Sequence, residues 1–222
     1  MIERLIAADG HELAAYRSDP PAGARGAVVI LSEFFGVNRH IRRVTDDYAR
    51  RGYVAIAPAF FDRVERDVEL EYDDAGMRTG RALRSRLNFE NTLLDVQAAL
   101  DAGRLLGGGV APLGYCWGGV LAYVAALRLT GLACAVGYYG ANIPEYIAET
   151  PRVPVLLHFA ETDEYMEPGD VERVAAAHPE VSIFTYPGTE HGFNCDERRF
   201  YDAAAAELAL DRTLAFLAEH LG

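Results

Sequence analysis

The hexapeptide Gly114-Tyr115-Cys116-Trp117-Gly118-Gly119 constrains this chain more than any other segment. It closes the apolar run Val110–Tyr115 and leads into Val120–Leu129, an Ala/Leu/Val-rich stretch with helical character. A G-x-C-x-G sequence at such a junction predicts a sharp strand-to-helix turn with the cysteine at its apex. The glycines have a steric task, because a Cβ two residues to either side of the apex would collide with it. The turn lifts the sulfur off the sheet. The helix behind it offers free N–H groups and a positive dipole end, which favour negative charge on sulfur. The competing description is a glycine-flanked buried cysteine, since free cysteine is among the most buried residue types.

Strand and helix patterns alternate through the rest of the chain. Ile2–Ala8 and Glu12–Tyr16, joined through Asp9-Gly10, read as an antiparallel hairpin. Ala27–Leu31, Tyr53–Ala57, Val110–Tyr115, Leu132–Tyr139, Val153–Ala160 and Val181–Tyr186 read as further strands. Helical spacing covers Arg39–Arg51, Asn91–Ala102, Val120–Leu129, Gly169–His178 and Phe200–Leu221. Phe60–Arg86 is charged and weakly periodic, and is expected to be a loop with short helical pieces. Such alternation predicts βαβ units: one α/β domain over residues 1–222, with a mostly parallel central sheet, helices on both faces and the N-terminal antiparallel hairpin.

Composition excludes several functions. Acidic residues number 33 against 21 basic ones, and the net charge of −12 argues against nucleic acid as a partner. Every basic residue is arginine, so a lysine nucleophile or Schiff base is ruled out. An anionic substrate would need a local arginine cluster to reverse the field. Cys116, Cys134 and Cys195 form no disulfide framework and suit a reducing compartment. With no secretory h-region at the start and no apolar run of membrane-spanning length, the expectation is a cytoplasmic protein without membrane contact.

A thiol at such a turn needs a base, and the base needs an orienting group. Glu161-Thr162-Asp163-Glu164 follows one predicted strand, and Pro187-Gly188-Thr189-Glu190-His191-Gly192-Phe193 follows the next. The order cysteine, acid, histidine, each beyond a strand's carboxyl end, is that of α/β-hydrolases. Asp163 is preferred over Glu161, Glu164 and Glu167 for its loop position and short reach, and none of the other five histidines is better situated.

The chain resembles the dienelactone hydrolases (carboxymethylenebutenolidases) over nearly its whole length. Four segments carry the likeness: Ser32-Glu33-Phe34-Phe35-Gly36-Val37-Asn38, the cysteine turn, Val136-Gly137-Tyr138-Tyr139-Gly140, and Glu190-His191-Gly192-Phe193. The resemblance implies a Cys116–Asp163–His191 triad and a distinctive Glu33. Backbone N–H groups of Phe34 and Trp117 are expected to form the oxyanion hole, and Tyr139 to contact substrate. It further implies acyl-thioester opening of an activated (enol) lactone by a monomer, with no metal or organic cofactor and a small molecule as the only partner.

Glu33 beside a thiol would oppose thiolate formation and protect the resting sulfur. In the family, substrate binding is thought to move this carboxylate so that it takes the thiol proton. The family holds a substrate carboxylate with two arginines. Either Arg78 or Arg81 fills one position, but the other falls on Cys195. Arg198 and Arg199 then either reach in or begin a helix facing solvent. A less anionic ester, a Cys116/Cys195 redox pair and a non-catalytic binding module are the alternative readings.

Overall fold

In the computed structural model, which describes residues 1–221, the alternation becomes an eight-stranded sheet. Its strands are β1 (Ile2–Ile6), β2 (Glu12–Ser18), β3 (Ala27–Leu31), β4 (Val54–Pro58), β5 (Val110–Tyr115), β6 (Ala135–Tyr138), β7 (Val155–Thr162) and β8 (Ser182–Glu190). The order across the sheet is β1-β2-β4-β3-β5-β6-β7-β8. β1–β2 and β2–β4 pair antiparallel, and every other neighbour pairs parallel. This is the α/β-hydrolase arrangement expected from the sequence.

The six helices are α1 (Arg39–Arg50), α2 (Asp74–Arg86), α3 (Phe89–Gly107), α4 (Trp117–Arg128), α5 (Asp170–Ala177) and α6 (Ala203–Leu221). Period-two alternation divides each central strand between two apolar layers. In β3, Val29 and Leu31 join Leu93 and Val96 of α3 and Leu121 and Val124 of α4. Val28 and Ile30 face the other way, with Ile41 and Tyr48 of α1 and Ala209 and Leu217 of α6. Helix α4 is buried from Trp117 to Leu127, as a helix apolar all round must be. Among the described residues, no helix is long and apolar enough to cross a membrane.

The largest departure from the sequence reading lies in Phe60–Arg86. Instead of a loop with short pieces, it holds a 3₁₀ turn (Phe60–Arg63) and the thirteen-residue helix α2, whose N-cap Asp73 accepts from Gly76 N. Only Gly76, Gly80 and Leu83 of α2 are buried, so it has no apolar stripe to betray it. It packs instead through bare backbone. A Cβ at Gly80 would stand 2.1 Å from the Phe34 carbonyl oxygen. Glycine there lets α2 lie directly on the loop after β3, which brings its arginines to the carboxyl edge of the sheet.

Candidate active site

The turn at Cys116 is as sharp as its glycines require. Cys116 has φ +55° and ψ −115°. Conformations of this kind cost about 1–3 kcal/mol and persist only where the surroundings enforce them. Here a Cβ on Gly114 would meet Gly118 O at 1.9 Å, and one on Gly118 would meet Leu31 O at 2.0 Å. The Cys116 amide donates to Tyr138 O at 2.9 Å, fastening the apex to the next strand. Cys116 is half-buried and stands at the N-terminus of α4.

Asp163 and His191 leave the sheet side by side because Thr162 of β7 is paired with Glu190 of β8. Both strands run farther than the sequence suggests, so each residue comes directly after a strand rather than from the middle of a loop. His191 Nδ1 and Asp163 Oδ2 are 2.7 Å apart, with side chains 3% and 2% exposed. The donating Nδ1–H leaves Nε2 as the free ring nitrogen, and Nε2 is buried with no hydrogen-bond partner. Burial opposes the imidazolium, but the charge of a Cys116 thiolate, the hydrogen bond to Asp163 and the polar approach of the Cys116 sulfur outweigh it, so the His191 pKa is raised. Without charge on sulfur, the leading upward influence disappears.

Glu33 is 2% exposed on the loop after β3. Its Oε1 accepts from Arg198 Nη1 at 3.2 Å, while Oε2 is buried without a partner. Arg198 does not begin a helix, since α6 starts at Ala203; its side chain is only 10% exposed. Burial works against its charge, and the Glu33 carboxylate more than compensates, keeping its pKa above the usual arginine value. Gly192 makes room for the guanidinium, because a Cβ there would lie 2.8 Å from Arg198 Nη1. Arg199 is exposed. Neither Phe34 N nor Trp117 N donates a hydrogen bond among the described residues.

Cys116, Trp117, His191 and Phe34 line a cavity of about 440 Å³. Arg81, Arg84 and Tyr165 line it as well. Arg81 donates to the Tyr165 hydroxyl at 3.1 Å, and the Arg84 guanidinium lies over the Trp117 ring at 5.6 Å. Two expected substrate contacts are not part of this wall. Arg78 is exposed on α2, and at 3.6 residues per turn it points roughly 120° away from Arg84. Tyr139 is 1% exposed and lies behind the imidazole, with its ring 5.0 Å from that of His191. Arg84 and Tyr165 were missed by the sequence reading. Arg84 would have been found as the i+3 neighbour of Arg81 had α2 been recognised as a helix.

The three thiols differ in environment. Burial pushes the Cys134 thiol up to about 12. Burial, and then the nearby Glu33 charge, do the same for Cys195. Both remain protonated well below that pH and are therefore poor nucleophiles. Iodoacetamide at pH 8 is expected to add one carbamidomethyl group per native chain, on half-exposed Cys116. The other two should react only after denaturation, and peptide mass spectrometry reads the difference; labelling of native Cys195 would contradict its assigned burial.

A sequence profile of the dienelactone hydrolase family matches residues 13–221. A carboxymethylenebutenolidase from Pseudomonas putida is 30% identical over 219 residues, covering 95% of this chain and 92% of the relative. A Synechocystis protein provisionally named carboxymethylenebutenolidase is 34% identical over 214 residues, covering 88% of this chain and 87% of its own length. A Klebsiella pneumoniae crystal structure, provisionally named a dienelactone hydrolase, matches with a TM-score of 0.87 at 25% identity over 99% of both chains. A metagenomic dienelactone hydrolase-like promiscuous phosphotriesterase shares the fold, with a TM-score of 0.80 at 20% identity over 100% of this chain and 99% of its own. Sequence and architecture agree: the chain belongs to the dienelactone hydrolase family and is a carboxylic ester hydrolase.

Proposed function

We propose that this protein opens an activated (enol) lactone bearing an acidic group, with Cys116 as nucleophile and a thioester intermediate. The observation that carries this reading is the composition of one cavity, which Cys116, His191, Arg81 and Arg84 all line. Neither arginine has a carboxylate partner among the described residues. In a chain of net charge −12, two such cations beside a thiol make a local site for an anion.

The substrate's acidic group binds at the arginines and competes for Arg198, which releases Glu33. The freed carboxylate takes the Cys116 proton, and α4 favours the resulting negative sulfur. The sulfur bonds to the lactone carbonyl carbon while the amides of Phe34 and Trp117 hold the oxyanion, each worth about 3 kcal/mol in comparable sites. The ring C–O bond then breaks. The enolate takes its proton from Glu33, whose carboxylate returns to Arg198. Acylation has by then removed the sulfur charge that kept His191 basic. Oriented by Asp163, its neutral Nε2 accepts a proton from water, hydroxide bonds to the acyl carbon, the C–S bond breaks, and the proton returns to sulfur.

The test is steady-state hydrolysis of cis- and trans-dienelactone beside p-nitrophenyl acetate. Arg81→Ala and Arg84→Ala are each expected to raise KM for the anionic lactones by roughly 10–100-fold, from loss of a charge-assisted hydrogen bond. Turnover of the neutral ester should stay within about twofold. An unchanged lactone KM in both variants would remove the anion from the proposal. Absence of turnover on every substrate would remove the activity.

A further inference from the structure

On the sheet face that carries α1 and α6 lies a second cavity, of about 370 Å³, which shares no lining residue with the first. Its floor is aromatic. Tyr115 and Tyr138, at the ends of β5 and β6, stand with rings 4.9 Å apart, and Tyr48 of α1 joins them. The Tyr138 hydroxyl is committed to Thr213 Oγ1 at 2.6 Å and Ala209 O at 3.2 Å. The Tyr48 residue is 3% exposed, and its buried Oη makes no hydrogen bond of good geometry; the Tyr115 and Tyr138 hydroxyls are its nearest polar neighbours. Burial holds this phenol far above its ordinary pKa, so it stays an O–H donor. A buried donor left unpaired is costly, and an acceptor delivered by a ligand would recover that cost.

The walls and mouth define the ligand. Val44 and Leu210 give the walls an apolar surface above the tyrosines. The charged lining residues nearly balance in sign, Arg43 and Arg51 against Asp47, Asp196 and Glu207; Arg43 pairs with Asp196 and, beyond the lining, with Glu197 at 2.9 Å, and Asp47 pairs with Arg50. Such a mouth offers little net charge to an ion. The volume exceeds the roughly 150 Å³ that suffices to hold benzene in an apolar protein cavity. We propose that this cavity is a second ligand site for a neutral, single-ring phenol, its ring above the tyrosine floor and its hydroxyl oxygen accepting from Tyr48. Asn194 and Asp196 form part of the wall. They flank buried Cys195 on the stretch that runs from His191 to Arg198, so an occupant would touch the segment carrying the candidate base and the partner of Glu33.

The probe is 4-methylphenol, titrated calorimetrically into the intact protein before and after alkylation of Cys116, which blocks the first cavity. Saturable 1:1 binding that survives alkylation is expected. Tyr48→Phe, nearly isosteric, should weaken it by about tenfold through loss of one hydrogen bond. Leu210→Trp, which fills the cavity, should abolish it while p-nitrophenyl acetate hydrolysis is retained. Three results would each overturn the site: no saturable binding, binding that disappears on alkylation, or equal affinity in Tyr48→Phe and wild type. The last keeps the test decisive even if Leu210→Trp fails to fold.

Discussion

Cys116→Ser is expected to lower kcat/KM for the lactone by about 10⁴-fold or more, with the fold intact. The substitution changes one atom at a half-buried apex whose backbone is set by glycine contacts on both sides and by the bond from its amide to Tyr138 O. What changes is the chemistry of proton removal, since a hydroxyl yields its proton far less readily than a thiol. A serine nucleophile needs a base hydrogen-bonded to it throughout the attack. His191 Nε2 makes no hydrogen bond to position 116, and the Glu33 carboxylate is bound to Arg198. This geometry suits a nucleophile that is deprotonated in a separate step and then attacks as an anion. Steady-state kinetics together with thermal melting decide the matter. Serine activity within tenfold of wild type, at an unchanged melting temperature, would mean that the thiol is not essential and that the proton pathway through Glu33 is wrong. Cys116→Ala supplies the baseline left by the oxyanion amides and binding alone.

Much of the architecture was legible because it is local or periodic. Alternating apolar residues revealed β3 and its parallel neighbours, and Gly114 and Gly118 announced a turn that only glycine permits. The order of cysteine, acid and histidine was readable too, and the structure brings Asp163 and His191 to 2.7 Å through the pairing of β7 with β8. Strand ends were less legible: β8 continues through Pro187-Gly188, which in a sequence look like turn residues. Helix α2 was hidden because two of its three buried residues are Gly76 and Gly80, which reduce helix propensity, and Leu83 alone makes no apolar stripe. Arg84 went unnoticed with it. The role of Arg198 was illegible for another reason. Its partner lies 165 positions away, and no local pattern encodes a pairing decided by how two loops meet. Resemblance pointed to position 195, where a cysteine stands; the guanidinium arrives instead from three residues further on, through the space that Gly192 leaves open.

That displaced arginine leads to the second large effect. Arg198→Ala is expected to destabilise the protein by about 3–5 kcal/mol, because it strands a charged carboxylate in a buried site. For a chain of this size that corresponds to a fall in melting temperature of roughly 6–20 °C. Glu33 is 2% exposed and already has one oxygen without a partner, so removing Arg198 from Oε1 would leave neither oxygen paired. Water cannot readily substitute, given that the arginine side chain filling that space is itself only 10% exposed. A double-mutant cycle separates this loss from simple truncation. Arg198→Ala in a Glu33→Gln background removes no counter-charge, so it should cost only the packing of the side chain, and the coupling between the two positions should amount to several kcal/mol. The same cycle bears on catalysis. If the pair is the latch that keeps Glu33 from the thiol until an anionic group competes for Arg198, Arg198→Ala should lose its preference for anionic lactones over p-nitrophenyl acetate, while Arg199→Ala, altering an exposed neighbour, should keep it. Additive stabilities together with an unaltered preference would reduce Arg198 to a packing residue and leave Glu33 without a trigger.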